Sequence, residues 1–368
     1  MKSATPKPIS TAAPQQTEQT YRAVIAAVGD VLIHKSIYFD AKTEDGYNFI
    51  PMFKAVKPFF QGVDLAIANQ ETMIGGEKLG LSDYPRFNSP FAIADALKDL
   101  GINAVSIANN HTLDRGEQAI INATAYWTKL GIPYAGAYRS AEDQQTLRII
   151  EKNHIRFALL SYTYGTNGIP VPSGKDFLVN LLQPDNMKNA VLEAKKRADL
   201  VIVYLHFGQE YQTEPSQQQI DTVHQLADAG ADIIFSSHPH FLQPAEWITQ
   251  ADGRKTFVIY SLGNFISAQD ATGQNGILKE VGGILKITAI KKVNAQGSEV
   301  SLESPSFIPT FTYKNHWRHF KVLPLSQVAD SDLPIDEITQ RPVPTSKHLF
   351  EQVAKHMRER MPDLQISP

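Results

Sequence analysis

Side chains able to hold a metal ion or move a proton collect where the apolar stretches of this chain stop. VIAAVGD ends on Asp30, DLAIANQE on Glu71, NAVSIANNH on Asn110 and His111, LVIVYLH on His206, and DIIFSSHPH on His238 and His240. Imidazole, carboxylate and amide oxygen are donors for hard and borderline divalent cations. In open α/β sheets, sites assemble beyond the carboxyl ends of the strands, so these endings point to one shared centre. The donors suffice for a pair of metals. A carboxylate between two cations offsets their repulsion and fixes their spacing at about 3.5–4 Å, a role open to Asp30 or Glu71. Taken alone, Asp30 can also be read as a helix N-cap.

His238-Pro239-His240 is the sharpest local signal. In extended backbone, residues two apart project to one face, and Pro239 biases His238 away from helix. Two imidazoles roughly 7 Å apart at Cα are then expected to aim at one place, the bland alternative being a polar loop. His206 ends a wholly apolar run and reads either as a hydrogen-bonded core histidine or, with His238 ending the neighbouring run, as a ligand. Glu210 is expected to orient an imidazole or touch substrate. His111 has the chemistry of a general acid or an oxyanion partner, with Asp114 placed to accept its other N–H. A left-handed turn explains Asn109-Asn110 but not the rest of the stretch to Gly116. His34 reaches the same centre, as ligand or substrate contact, only if the chain turns after Asp30. Asn264, in Ser261-Leu262-Gly263-Asn264-Phe265, can donate to a substrate or a ligand loop, or simply make a turn. Asn69 and Gln243 complete the candidate supporting contacts.

These residues need a layered scaffold. From Tyr21 to Ile290 short apolar strands alternate with helical stretches, which argues an α/β domain. Helices are expected over Ile93–Leu100, Glu117–Leu130, Met187–Arg197 and Gln217–Ala229, the first, second and fourth stopped by Gly101, Gly131 and Gly230. After His240, Thr256–Ser261, Gly283–Ile290 and Glu299–Leu302 read as antiparallel strands. Loops Gly75–Phe87 and Tyr164–Asp176 are expected over the site, and Ser346–Arg360 is a further helix. The chain is expected to divide into a disordered tether at 1–20, one domain at 21–325 and a C-terminal extension at 326–368 packed on it.

Composition narrows the function. The chain has 368 residues, 42% hydrophobic and 20% charged, enough for a substantial core. A net charge of −3 provides no broad basic field, which argues against nucleic acid as partner. With no cysteine, thiolate ligands, disulfides and cysteine nucleophiles are excluded. No run approaches the ~20 apolar residues that span a membrane. Residues 1–20, rich in Ser, Thr, Pro, Ala and Gln, read as the stalk left below a membrane anchor or as a plain disordered terminus.

Gly29-Asp30, Ala68-Asn69-Gln70-Glu71, the stretch Asn109–Gly116, His206–Tyr211, Gly230-Ala231-Asp232, His238–Gln243 and Ser261–Phe265 together resemble the bacterial CapA/PgsA family of poly-γ-glutamate capsule synthesis proteins. That family lies within the calcineurin-like metallophosphoesterase superfamily, and the resemblance covers about residues 22–290. It implies a metallophosphatase-like αββα sandwich, two mixed sheets flanked by helices, with two divalent ions (Mn, Zn or Fe) at the strand ends. By the resemblance, Asp30 and His240 hold one ion, Asn110, His206 and His238 the other, Glu71 bridges, and His111 protonates the leaving group. Two departures stand out. The usual Asp-x-His of the first motif has Leu32 in its third place, and Glu71 replaces the usual bridging Asp. One metal is then a ligand short unless His34 fills the position.

The expectation is a metal-dependent hydrolase at the extracellular face of the membrane, anchored through an N-terminal segment. It would act on poly-γ-glutamate or a related anionic envelope polymer, with a membrane capsule-synthesis complex as a further partner, cleaving a phosphoester or a γ-glutamyl amide. The alternative is a non-catalytic assembly or export accessory that grips the polymer. A cytosolic nucleotide phosphatase is disfavoured, since no nucleotide-specific motif is visible.

Overall fold

The computed structural model describes residues 18–272, 275–333 and 345–368. The proposed tether therefore lies almost wholly outside the described residues, and its last two residues already belong to the first strand. The chain enters on β1 (Gln19–Val31), turns through α1 (Lys35–Asp40) and the small hairpin β2 (Lys42–Thr43) and β3 (Gly46–Tyr47), and returns as β4 (Leu65–Gln70). Helix α2 (Ala92–Leu100) leads to β5 (Ala104–Ser106), and α3 (Gly116–Leu130) to β6 (Tyr134–Ala135). Strands β1, β4, β5 and β6 are parallel neighbours.

After α4 (Ala141–Gln145) a second sheet forms from β7 (Arg148–Lys152), β8 (Ile155–Thr163), β9 (Leu200–His206), β10 (Ile233–Ser237), β11 (Leu242–Thr249) and β12 (Lys255–Leu262). Its order is β11-β12-β10-β9-β8-β7, with α5 (Pro184–Lys195) before β9 and α6 (Gln217–Ala229) before β10. A Ser216–Gln219 capping box starts α6, and Gly230 in left-handed backbone ends it. The chain then rejoins the first sheet through β13 (Asn264–Ile266), the long hairpin β14 (Val281–Asn294) and β15 (Gly297–Asn315), and β16 (Arg318–Pro324). Helix α7 (Ser346–Met357) follows, and β17 (Gln365–Ile366) lies beside β15.

Strand alternation explains the layering. On β1, Ile25 and Ala27 face the core between the sheets while Ala26 and Val28 face outward to Ile93, Leu97 and Trp127 of α2 and α3. On β9, Ile202 and Tyr204 face that same central core, and Val201, Val203 and Leu205 face Val191, Val223 and Leu226 of α5 and α6. Strands apolar on both faces must be covered on both, giving helix, sheet, sheet, helix. Leu349, Val353 and Met357 of α7 join the inter-sheet core. Both sheets are mixed, since β1 pairs antiparallel with β14 and β12 antiparallel with β11.

Several boundaries differ from the sequence reading. The run to His111 is strand only as far as Ser106, so Asn110 and His111 stand on the following turn. Strand β15 is much longer than Glu299–Leu302, and α7 stops at Met357. The hairpin β7–β8 is new to the structure, with β8 parallel to β9 in the second sheet.

Gly29 marks a close backbone approach in this frame. A Cβ there would lie 1.9 Å from the Gly263 carbonyl oxygen, the same atom that accepts from Asp30 N at 3.0 Å. Gly29→Ala is accordingly expected to push the 261–265 turn off β1 and lower the unfolding free energy by about 2–3 kcal/mol in chemical denaturation. An unchanged midpoint would refute this packing.

Candidate metal centre

The two sheets converge at the carboxyl ends of β1, β4, β9 and β10, where the Tyr204 hydroxyl donates to Val28 O at 2.9 Å. Parallel register sets Asp30 between Asn69 of β4 and Asn264 of β13, and sets His206 opposite Ser237. The strand then stops, and His238 and His240 adopt φ of 109° and 59°. Their convergence therefore does not come from extended-strand alternation, as the sequence suggested. Two left-handed residues fold the chain back so that both rings turn inward, with centroids 6.1 Å apart. Such backbone is costly for non-glycine residues and persists where surrounding structure enforces it.

Asp30, Glu71 and His240 present ligand atoms all within 4.8 Å of one another, and all three are buried. His206 joins them, its Nε2 3.7 Å from Glu71 Oε1 and its Nδ1 3.8 Å from Asp30 Oδ1. The His238 ring lies tilted against His206, centroids 4.8 Å apart, and Asn110 Oδ1 lies 2.8 Å from His206 Nε2. The six ligand candidates are thus brought together. Both oxygens of Glu71 are buried without a hydrogen-bond partner, as is His238 Nδ1. Orphaned acceptors of this kind are what a resident cation would satisfy. The donors fit a divalent metal pair.

Neighbouring amides fix which ring atoms are free. Asn264 Nδ2 donates to Lys279 O at 2.9 Å and Gln269 Oε1 at 3.1 Å, so its Oδ1 accepts from His240 Nδ1 at 2.9 Å. That leaves His240 Nε2 on the Glu71 side, its lone pair available once the ring is neutral. Asn69 Nδ2 donates to Asp30 Oδ1 at 2.7 Å and has a choice of second acceptor, His206 Nδ1 at 3.1 Å or Ser237 Oγ at 3.2 Å. When it takes His206 Nδ1, His206 Nε2–H donates to Asn110 Oδ1 at 2.8 Å; when it takes Ser237, His206 Nδ1–H donates to that hydroxyl, 3.3 Å away, and the Nε2 lone pair is left for ligation.

Protonation follows from the same contacts. Burial pushes the Asp30 carboxyl up, but the His240 hydrogen bond, the His206 and His240 charges and Ser237 outweigh it and hold it well below the usual range. Glu71 has no such donors, and burial with the Asp30 charge pushes it well above the usual glutamate value. Burial depresses His206 strongly, and takes His238 down to about 3, so both are neutral lone-pair donors. Burial opposes charging His240, yet Glu71 and Asp30 raise it to about 9. Asp30 and Glu71 are therefore pushed in opposite directions within one pocket.

Beside the cluster, His111 Nδ1–H donates to the buried Asp114 Oδ2 at 2.7 Å, leaving Nε2 to exchange a proton. The same Asp114 oxygen accepts from Phe87 N at 2.7 Å, and the Phe87 ring meets His111 edge-on at 4.7 Å. Neither Asn109 nor Asn110 is left-handed; Asn109 Oδ1 accepts from His111 N at 3.0 Å and its amide donates to Gln70 O at 2.9 Å.

Three expectations need correction. Gln243 is buried away from substrate, accepting from Gln219 and donating to Gln212 O and Glu214 O, so it holds the loop after His206. Glu210 is exposed and, among the described residues, bonds to no imidazole, so the orienting half of that expectation falls and the substrate contact is left standing. His34 stands outside the Asp30–Glu71–His240 group, half-buried against Phe87 at 5.1 Å with Nδ1 accepting from Ala268 N at 3.2 Å. Burial takes its pKa down to about 4. The sequence reading also missed Ser237, Tyr164, which lies 4.5 Å from His238, and Asn167, whose Oδ1 accepts from Asn110 Nδ2 at 3.3 Å. The loop expectation pointed to the segments carrying Phe87, Tyr164 and Asn167 but not to these residues; nothing in the sequence marked Ser237.

His240, raised to about 9, retains a proton through the neutral range, and ligation needs it gone. Cation uptake should therefore expel at least about one proton per chain at neutral pH and strengthen as pH rises from about 5 to 8. Calorimetry in buffers of different ionisation enthalpy reads this directly, and proton-free uptake would contradict it.

Comparison with known proteins places this geometry. Residues 24–269 match the family described as "Bacterial capsule synthesis protein PGA_cap". The "PGA biosynthesis protein CapA" of Bacillus subtilis (strain 168) is 30% identical over 260 residues, covering 67% of this chain and 63% of that protein. The "Capsule biosynthesis protein CapA" of Bacillus anthracis is 26% identical over 270 residues, covering 71% of this chain and 63% of its own length. The matched part is thus less than two thirds of either relative. Among solved structures, a 5'-nucleotidase precursor from Thermus thermophilus aligns over 92% of this chain and 60% of its own, at 13% identity and a TM-score of 0.46. The PGA_cap match spans well over half of the sequence, and the chain belongs to that bacterial capsule synthesis family.

Proposed function

We propose that this protein is a metal-dependent hydrolase linked to poly-γ-glutamate capsule or envelope-polymer metabolism, cleaving a γ-glutamyl amide or a phosphoester. The observation that carries the reading is the unpaired, buried Glu71 amid His206, His240 and Asp30, with the His111–Asp114 pair alongside. Asp30 and His240 would hold one cation, Asn110, His206 and His238 the other, and Glu71 both. When bound, such cations supply Lewis acidity that polarises the scissile group and acidifies water. His111 then gives a proton from Nε2 to the leaving group, in the tautomer that Asp114 maintains. Phe87 and Tyr164 flank the imidazoles and limit water around them. The capsule link is supported by family membership and by the relatives' names. We further place the protein at the extracellular face of the membrane, anchored through an N-terminal segment; protease digestion of intact cells tests that placement. Among the described residues no helix is long and apolar enough to cross a membrane.

A relative from Mycobacterium tuberculosis is named a "Probable polyglutamine synthesis accessory protein", which favours a second reading, polymer binding without cleavage. Turnover of a γ-glutamyl anilide and an aryl phosphodiester with added Mn²⁺ or Zn²⁺ separates the two. Hydrolysis of either supports the enzyme; tight polymer binding with no turnover supports the accessory.

Two variants sharpen the test. His238→Ala is expected to lose metal and turnover together, and unchanged metal content by elemental analysis would remove it from the ligand set. Asp114→Asn should keep the metal while kcat falls by roughly 10²–10⁴, and full activity would exclude the proton-transfer role.

A further inference from the structure

The chain beyond residue 269 lies outside the family match, yet it reaches the metal centre through one amide. Asn264 Oδ1 accepts from His240 Nδ1 at 2.9 Å because Asn264 Nδ2 faces two acceptors, Lys279 O at 2.9 Å and Gln269 Oε1 at 3.1 Å. The two ends of an amide are alike in shape but opposite in hydrogen-bonding sense. Were this one reversed, its Nδ2 would face His240 Nδ1, which would then have to accept, and the ring hydrogen would pass to Nε2. The lone pair on the Glu71 side would be lost. Lys279 O forbids that reversal, since a backbone carbonyl can only accept.

Gln269 and Lys279 stand near the two ends of one segment, and a single ammonium holds both ends. Lys314 Nζ, on β15, donates to Gln269 O at 3.0 Å and pairs with the carboxylate of Glu280, the residue after Lys279. The lysine side chain is 14% exposed and that of Glu280 2%, and the Trp317 ring covers the ammonium at 5.1 Å. Among the described residues no other cation makes an ion pair with Glu280. A buried ion pair is often no more stabilising than apolar packing of the same volume. What this one supplies is position, since the lysine reaches across from the β14–β15 hairpin to the segment that orients Asn264.

We propose that Lys314 is a positioning residue for the metal centre: by holding Gln269 and Glu280 it keeps the Asn264 amide in the sense that presents His240 Nε2 to a cation. Residues beyond the family match then set the metal affinity. The inference rests on the metal-centre reading above, whatever bond the centre cleaves. It is tested by calorimetric titration of the metal-free protein with Zn²⁺, in wild type and in Lys314→Met combined with Glu280→Gln, which strands no buried charge. Affinity should fall by roughly 10- to 100-fold. The loss should vanish when the same two substitutions are made on Asn264→Ala, which has no amide left to orient. Should the double variant fail to fold, Gln269→Ala decides: it leaves the ion pair whole, removes one of the amide's two acceptors and should weaken uptake several-fold. Wild-type affinity in the deciding variant, or a loss that persists in full on Asn264→Ala, overturns the role of Lys314 while leaving the metal centre intact. No Zn²⁺ uptake by the wild type sinks the metal-centre reading itself, and the role of Lys314 with it.

Discussion

Two carboxylates share a buried space that holds hydrogen-bond donors for only one of them. Asp30 receives Asn69, the His238 N–H and His240, and stays ionised. Glu71 receives none, and its charge is disfavoured until something positive arrives. Burying a carboxylate without a hydrogen-bond donor is among the costliest arrangements a fold can keep. Its presence here defines where positive charge belongs, and the surrounding amides and imidazoles are oriented around that place.

The scaffold meets this demand by bringing the carboxyl ends of parallel strands from two sheets to one line. Register along β1, β4 and β13 sets Asn69, Asp30 and Asn264 side by side, so one carboxylate is flanked by two amides. One of those amides then fixes the tautomer of His240, and the other adjusts to that of His206. The left-handed turn at His238 and His240 supplies the remaining imidazoles at a cost in local backbone energy. Loops that carry Phe87, Tyr164 and Asn167 close the periphery, tied to the acid pair through the Phe87 N–H to Asp114 contact.

Much of this was legible because chemistry-bearing residues at strand ends cannot be explained by packing. Asp30, Glu71, His206 and the two histidines of His238-Pro239-His240 announced themselves in that way, and Asp114 by its spacing from His111. Strand β8 escaped notice because Ile155–Thr163 ends in no metal-capable or proton-transferring group and reads as anonymous core. Ser237 escaped because a serine inside an apolar run carries no signal until His206 lies opposite. Gln243 misled in the other direction, since its proximity in sequence to His240 says nothing about which way a strand residue faces once β11 begins.

The sequence by itself determined the donor inventory, the absence of thiol chemistry, the alternation that demands covered sheets and the family to which the chain belongs. These are properties of residue type and local order, which survive without coordinates. Only the tertiary structure decided that His34 stands apart, that Glu71 rather than Asp30 is left unpaired, and that Glu210 faces solvent without a partner among the described residues. Those outcomes depend on hydrogen bonds and contacts between residues distant in sequence, as His206 is from Asn69 and His34 from Phe87, and no local pattern encodes such partners.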